Sequence, residues 1–352
     1  MSMKLPEVKI LIIAASLLLL IGCTLRAKSS RAIEASSPIS PKCGNERHSR
    51  RSAQRAISLY FLNTRSGWVI LGDGLYQTVD SGKTWTLLNH NEMGLQALIF
   101  VDDVNGWGYS DQWQTIRRSS LIFRSQDGGH SWREVLEIPT PIYSIDFLDK
   151  QVGYVSGRWY PMQITSNGGE TWQKIEGVPE GLKVIYFLNE REGFGYGDGI
   201  WHTDDCGLTW KEKVSSESFD GDLYAGAFVD TSGYLVGSNG QVWRTGSGSV
   251  WQQVTNLPVK AEALTAADFI SAKEGWLSGW LKKGDGVSNG TGVVLHTMNG
   301  GDSWQVSSRW SSGVGSIKFM NSNEGCATDG NGDLLHTSDA GQSWNIQRLP
   351  QT

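Results

Sequence analysis

One phrase recurs seven times along this chain, and no other feature limits its fold as much. It reads TVDSGKTW (78–85), SQDGGHSW (125–132), TSNGGETW (165–172), TDDCGLTW (203–210), TGSGSVW (245–251), TMNGGDSW (297–304) and TSDAGQSW (337–344). The closing tryptophans fall 47, 40, 38, 41, 53 and 40 residues apart. Only the fifth copy is degenerate: it is one residue short and carries Ser247 where the others carry Asp or Asn. A second phrase leads each unit, a Phe followed about six residues on by a Gly, in the pairs Phe61/Gly67, Phe100/Gly106, Phe147/Gly153, Phe187/Gly193, Phe228/Gly233, Phe269/Gly275 and Phe319/Gly325. Between the two phrases, stretches such as GYLVGSNGQVWRT alternate apolar and polar around Asn-Gly or Asp-Gly, a strong hairpin signal. Each unit therefore holds four short strands. Seven such units predict an all-β, seven-bladed β-propeller of four-stranded antiparallel blades spanning 57–352. The many glycines and tryptophans, 43 and 16, agree with an all-β chain.

The first 56 residues read differently. Lys4 and Lys9 precede an apolar run, Ile10 to Ile21, too short for the ~20 residues of a spanning helix but of the right length for a signal sequence. It ends in LIGC, which resembles the lipobox of bacterial lipoproteins. That resemblance implies a signal peptide over 1–22, lipid attachment to Cys23, and an extracytoplasmic protein held on a membrane. From Arg26 to Arg55 there are eight basic and two acidic residues among Ser and Pro, so 23–56 reads as a disordered basic tether. The remaining body carries 33 acidic and 21 basic side chains, a net charge near −12. A basic leash beside an acidic body suits an anionic bilayer and argues against nucleic acid as a partner.

Three further cysteines are present, Cys43, Cys206 and Cys326, an odd number that cannot be fully paired. Cys326 follows Gly325 at a position held by Trp, Tyr or Phe in the other units, and reads as a buried apolar substitute. His202, His296 and His336 all precede the first Thr of a repeated phrase. Equivalent strand positions in different blades diverge like spokes, so these histidines are not expected to share a metal. SGKT at 81–84 lacks the leading glycine of a phosphate loop, and Asp204-Asp205 lacks the spacing of a calcium loop. No cofactor, metal or catalytic group is expected.

Function is sought where the repeat is broken. Units 1, 4, 5 and 7 close their second hairpin with Asp73-Gly74, Asp198-Gly199, Asn239-Gly240 and Asn331-Gly332, whereas units 2, 3 and 6 carry GYSDQWQTIRRSSL, SGRWYPMQ and SGWLKKGDGVSNGTG. From the leading Gly to the repeated phrase, unit 2 takes 19 residues and unit 6 takes 22, against 10–12 elsewhere. These loops hold Trp113, Arg117, Arg118, Arg158, Trp159, Tyr160, Trp280, Lys282 and Lys283. Arg, Trp and Tyr are enriched at binding hot spots, so these residues are the candidate partner-binding set. The loops of units 2 and 3 are expected to merge into one patch, on the face opposite the repeated turns.

The repeated phrase resembles the Asp-box (BNR) repeat, S/T-x-D-x-G-x-S/T-W. That resemblance implies a structural fastener in each blade, carried here by Asp80 and Trp85, Asp127 and Trp132, Asn167 and Trp172, Asp205 and Trp210, Asn299 and Trp304, and Asp339 and Trp344. In it the carboxyl or amide oxygen binds turn N–H groups, a following Gly takes a positive φ, and the Trp packs beneath. Sialidases share the box but have six blades and an F/Y-R-I-P segment that is missing here; sortilin-like receptors have ten blades; and xyloglucanases use two propellers. The single seven-bladed plan is similar to the photosystem II assembly and stability factors. Similarity to that family implies a non-enzymatic, monomeric assembly helper that binds a membrane-associated protein, a photosystem core subunit or its precursor, through a basic patch. The alternative is a glycan-binding or glycoside-hydrolysing propeller with exposed tryptophans as stacking platforms. A glycosidase needs a carboxylate pair about 5–9.5 Å apart, and Asp102, Asp103, Asp146 and Asp198 are too scattered in sequence to nominate one.

Overall fold

A computed structural model of the chain describes residues 56–71, 74–112, 118–158, 160–179, 182–284, 288 and 290–349. The expected signal peptide, Cys23 and the tether lie outside them. The described chain forms seven four-stranded antiparallel sheets, each built from four strands consecutive in sequence. The blades cover 56–89, 97–138, 142–174, 182–214, 223–253, 261–310 and 314–347. The first strands of blades 1 to 4 line a narrow central cavity of about 50 Å³.

The Phe/Gly pairs explain how blades are held together. The Phe that ends each first strand lies over the Gly that starts the second: a Cβ at any of these seven glycines would come within 3 Å of its partner ring. In six of the units the phenyl ring then touches aromatic rings on both sides. In its own blade it meets the tryptophan of the repeated phrase edge-on, at 5.9–6.1 Å in all seven units. On its other side it stacks face to face with the aromatic residue that follows the Gly of the preceding blade. These stacks are Trp68 on Phe100, Trp107 on Phe147, Tyr154 on Phe187, Phe194 on Phe228, Tyr234 on Phe269 and Trp276 on Phe319, at 3.6–5.1 Å. Such pairs contribute about 0.5–1.5 kcal/mol each beyond the area they bury.

Polar bonds run along the same seams. Trp68 Nε1 donates to the Gly128 carbonyl at 2.9 Å, Trp107 Nε1 to Gly168 at 3.1 Å, Tyr154 Oη to Cys206 at 3.0 Å and Trp276 Nε1 to Ala340 at 3.1 Å. Each acceptor belongs to the repeated turn of the next blade. Deeper in, the Asp146 carboxylate accepts from Phe187 N (3.1 Å), and Asp268 accepts from Phe319 N and Lys318 Nζ (both 2.6 Å).

The repeated turns share one bond pattern in six blades. In blade 1, Thr78 Oγ1 donates to Asp80 Oδ1 (2.8 Å) and accepts from Gly82 N (2.9 Å), while Asp80 accepts from Thr84 N (2.9 Å) and Thr84 Oγ1 (2.6 Å). Asn167 and Asn299 reproduce the arrangement with an amide oxygen. The trailing tryptophan donates Nε1 to the turn glycine's carbonyl in five of the blades, as Trp85 does to Gly82 at 3.1 Å. Two successive residues, not the glycine alone, take the left-handed conformation: Ser81 with Gly82 (φ 68 and 81), Cys206 with Gly207 (66 and 78) and Ala340 with Gly341 (62 and 77).

The ring closes by packing of blade 7 on blade 1; among the described residues no strand is shared between them. Cys326, fully buried and unpaired, stands where the other six blades place an aromatic ring, with its Sγ against Gly82. Burial pushes its thiol pKa far up. Trp85 Nε1 also donates to Gln347 Oε1 (2.9 Å), and Lys83 pairs with Glu324 (3.1 Å) across the seam. Cys206, on the blade 4 turn, is disulfide-bonded.

Two outcomes follow from these contacts. Trp107→Ala removes a stacked pair and an inter-blade hydrogen bond from a fully buried position, and is expected to cost about 3–5 kcal/mol in urea unfolding. Cys326→Ala at the equivalent position of blade 7 should cost less than half as much, and equal losses would show that the stack carries no special weight. The second outcome concerns acid. Burial opposes ionisation of Asp80, Asp127, Asp205 and Asp339, but bonds from the flanking hydroxyls and N–H groups outweigh it and leave each carboxyl below its usual range. A depressed folded-state value stabilises the fold above the unfolded value near pH 3.9, and the contribution drains as pH falls through the folded one. The fourfold Asp→Asn variant should therefore lose less stability between about pH 5 and pH 2 than the parent, as read from denaturation midpoints.

Candidate functional site

The first-to-second-strand turns and the repeated turns share one face, since Ser81 N and Oγ donate to the Arg65 and Thr64 carbonyls. The second-to-third-strand loops therefore lie on the opposite face. Ala56 pairs with Leu71, the last residue before the blade 1 loop, so the first strand also begins there.

Trp113, Arg117 and Trp159 fall outside the described residues. Arg118 is exposed and left-handed (φ 49). The base of its loop is closed by Gln112 N donating to the Ser119 carbonyl (3.0 Å), and Ser119 Oγ donates to Glu137 (2.6 Å). Arg158 is also exposed, with its N–H on the Pro141 carbonyl at 2.8 Å.

The blade 3 loop differs from expectation. Gly157 pairs with Tyr160, so the ladder between the second and third strands runs on to the hairpin's end, where the sequence predicted an open loop. The cause is a register shift between Val155 and Gly157 that shortens the hairpin without an Asn-Gly or Asp-Gly signal. Tyr160 is half-buried: it packs beside Tyr109, Ile142 and Val155, and its hydroxyl accepts from Gln163 Nε2 at 2.7 Å. It is part of the seam between blades 2 and 3 more than of a free surface.

Blade 6 contributes a separate group. Trp280 is half-buried, its ring beside Gly313 of blade 7, where a Cβ would lie 3.1 Å from it. Lys282 and Lys283 are exposed, and Lys282 N donates to the Lys260 carbonyl at 3.1 Å. Around the ring, blades 4 and 5 on one side and 7 and 1 on the other separate these lysines from Arg118 and Arg158. The loop face thus carries two basic groups, one on blades 2 and 3 and one on blade 6.

The remaining chemistry is tied up in the fold. His202 bonds Glu192 and His296 bonds Glu274, both at 3.2 Å within one blade; His296 also lies flat on Trp276 at 4.5 Å. Burial lowers the His336 pKa. No cluster of three metal-ligating side chains occurs among the described residues. Asp102 caps a turn through Val104 N and Asn105 N, Asp146 is a buried inter-blade acceptor, and exposed Asp198 tips the blade 4 hairpin. These carboxylates occupy three different parts of the propeller.

The strand-3 position of the histidines carries a feature that sequence reasoning missed. Arg124 and Arg244 hold it in blades 2 and 5 and reach to the next blade, Arg124 to Glu170 (3.2 Å) and Arg244 to Asp302 (2.6 Å). Arg124 also lies over the Trp107 ring at 5.4 Å. Alignment of the units by strand shows both arginines, but not that their partners belong to the following unit.

No protein-family model and no curated protein matches this chain. Among solved structures it is similar to the GH74 enzyme of Niastella koreensis, at 14% identity and a TM-score of 0.66 over 83% of this chain and 54% of that one. It is also similar to YCF48 bound to D1 peptide, at 16% identity and a TM-score of 0.60 over 90% of this chain and 98% of that one. A third is YCF48 from Cyanidioschyzon merolae, at 16% identity and 0.60 over 81% and 96%. The chain spans about half the length of the GH74 enzyme and nearly all of YCF48. At these identities the likeness establishes the seven-bladed propeller.

Proposed function

We propose that this chain is a lipid-anchored, non-enzymatic assembly scaffold that holds a membrane-associated protein against the loop face of its propeller. The observation that carries the reading is that one face of an otherwise acidic propeller gathers the exposed Arg118, Arg158, Lys282 and Lys283 on its second-to-third-strand loops. A tether through Cys23 would keep the propeller, and with it those basic loops, close to the bilayer. A partner that is itself embedded there meets basic loops on an otherwise acidic body, a contrast that steers encounter and fixes orientation. Comparison with YCF48 supports the same reading: that protein is matched over nearly its whole length, and one of its structures holds a D1 peptide. On this view the protein is monomeric, extracytoplasmic and free of cofactors, and its partner is a photosystem core subunit, its precursor, or a protein of similar placement.

Titration of the purified chain with a D1 peptide tests this. Binding is expected to weaken at least tenfold in Arg118→Glu/Arg158→Glu, equivalent to about 1.4 kcal/mol, and to weaken further as salt is raised. A Lys282→Glu/Lys283→Glu variant reports whether blade 6 shares the site. Equal affinity of all three proteins, or no binding by any, would sink the reading. Release of reducing sugar from xyloglucan by the parent chain would transfer it to the glycoside-hydrolysing alternative.

A further inference from the structure

The fifth repeated turn is the one that lacks both an Asp and an Asn, and it borders a cavity on that face. The cavity measures about 400 Å³, within the range of small-molecule sites. Its wall is shared by blade 5 and the turns of blade 6, and includes Ser232, Tyr234, Arg244, Thr245, Ser247 and Gln252. In the other six turns the first Ser or Thr hydroxyl donates to the Asp or Asn oxygen two residues on. Thr245 has no such acceptor: it accepts from Ser247 N at 3.3 Å, and its hydroxyl hydrogen is unclaimed.

Tyr234 is stranded for a related reason. In blade 3 the matching Tyr154 donates across the seam to a turn carbonyl. In blade 5 that carbonyl, Gly300 O, is taken by Arg244 Nη1 at 2.8 Å. Tyr234 is only 3% exposed and is fixed by its stack on Phe269, yet its hydroxyl has no protein partner among the described residues. Burial holds its pKa up at about 12, so at neutral pH it is a hydrogen-bond donor. The Trp251 indole N–H is buried behind the cavity wall and unpartnered, as is that of Trp304 in the intact blade 6 turn. Arg244 spends Nη1 on Gly300 and Asp302 and leaves Nε and Nη2 unused. The cavity is therefore rich in donors and lacks the side-chain acceptor, a carboxylate in four sister turns and an amide oxygen in two, that the other turns carry.

We propose that this cavity is a binding site for a small organic carboxylate, whose oxygens take the place of the missing Asp or Asn acceptor beside the unspent cationic edge of Arg244. One carboxylate oxygen accepts from the free edge of Arg244 and the other from Tyr234 and Thr245, while Val250, 64% exposed at the rim, covers the ligand's hydrocarbon part. Asp302 is the built-in competitor: it already holds Arg244 at 2.6 Å and opposes a second negative charge. The site lies on the face opposite the basic loops and is independent of the partner reading.

The test uses the full chain and ¹H–¹⁵N spectra, with the Trp251 indole signal as reporter. Sodium succinate is titrated at constant ionic strength, with succinamide as the neutral control. A blocked Ala-Asp-Ala tripeptide distinguishes a protein side chain from a free acid as the source of the carboxylate. Saturable shifts with succinate or the tripeptide and none with succinamide are expected. Tyr234→Phe should weaken binding about tenfold, Arg244→Gln should abolish it, and Asp302→Asn should strengthen it severalfold. Ser247→Asp, which restores a tethered carboxylate, should block the site while the melting temperature is kept; it decides the matter if Arg244→Gln unfolds the seam. Equal shifts with succinamide, binding unaffected by Ser247→Asp, or weaker binding in Asp302→Asn would each overturn the proposal.

Discussion

Everything in this propeller depends on a phenyl ring clasped between two neighbours. Phe147 shows the arrangement: Gly153 beneath it, Trp172 edge-on at its side, and Trp107 of the preceding blade stacked on its face at 3.7 Å. A lone blade would leave that face bare, and a four-stranded sheet with two uncovered faces is not stable in water. Ring formation supplies the cover. The glycine of each leading phrase is thus a matter of room, because any side chain there would displace the ring that joins two blades. The repeated turn has a second duty besides fastening its own hairpin, since its left-handed residues aim a carbonyl at the blade before it. Local turn and inter-blade seam are one device.

That dual role explains what could be read from the chain. The seven units, their four strands and the odd position of Cys326 were legible because each is written locally and repeated. Partners at the seams were not, because Arg244 and Asp302 or Trp107 and Gly168 stand roughly 60 residues apart and no local pattern joins them. The blade 3 hairpin was not legible for a related reason: Gly157 meets Tyr160 through a register shift that no Asn-Gly or Asp-Gly dipeptide marks. Of the candidate loop residues, Arg118, Arg158, Lys282 and Lys283 are exposed as the charge pattern implied. Tyr160 and Trp280 looked equally available, yet both are half-buried in seams. Aromatic residues near a blade edge are drawn into packing, whereas charged ones are held in water by the cost of burial.

The two faces differ in how much freedom the fold leaves them. On the turn face nearly every polar side chain of the repeat is bound, and a change at Asp80 or Thr78 breaks several hydrogen bonds at once. On the loop face the hairpins meet no such demand, so length and charge vary from blade to blade without loss to the ring. Surface chemistry suited to a partner accumulates where the seams do not constrain it. The same reasoning marks the fifth turn as the exception on the constrained face. There one residue is missing, Arg244 has taken a carbonyl that a phenol would otherwise hold, and the fold tolerates the change because Tyr234 keeps its stack on Phe269. A broken fastener survives in a ring when the aromatic clasp beside it is intact, and a cavity with unsatisfied donors is what such a break leaves behind.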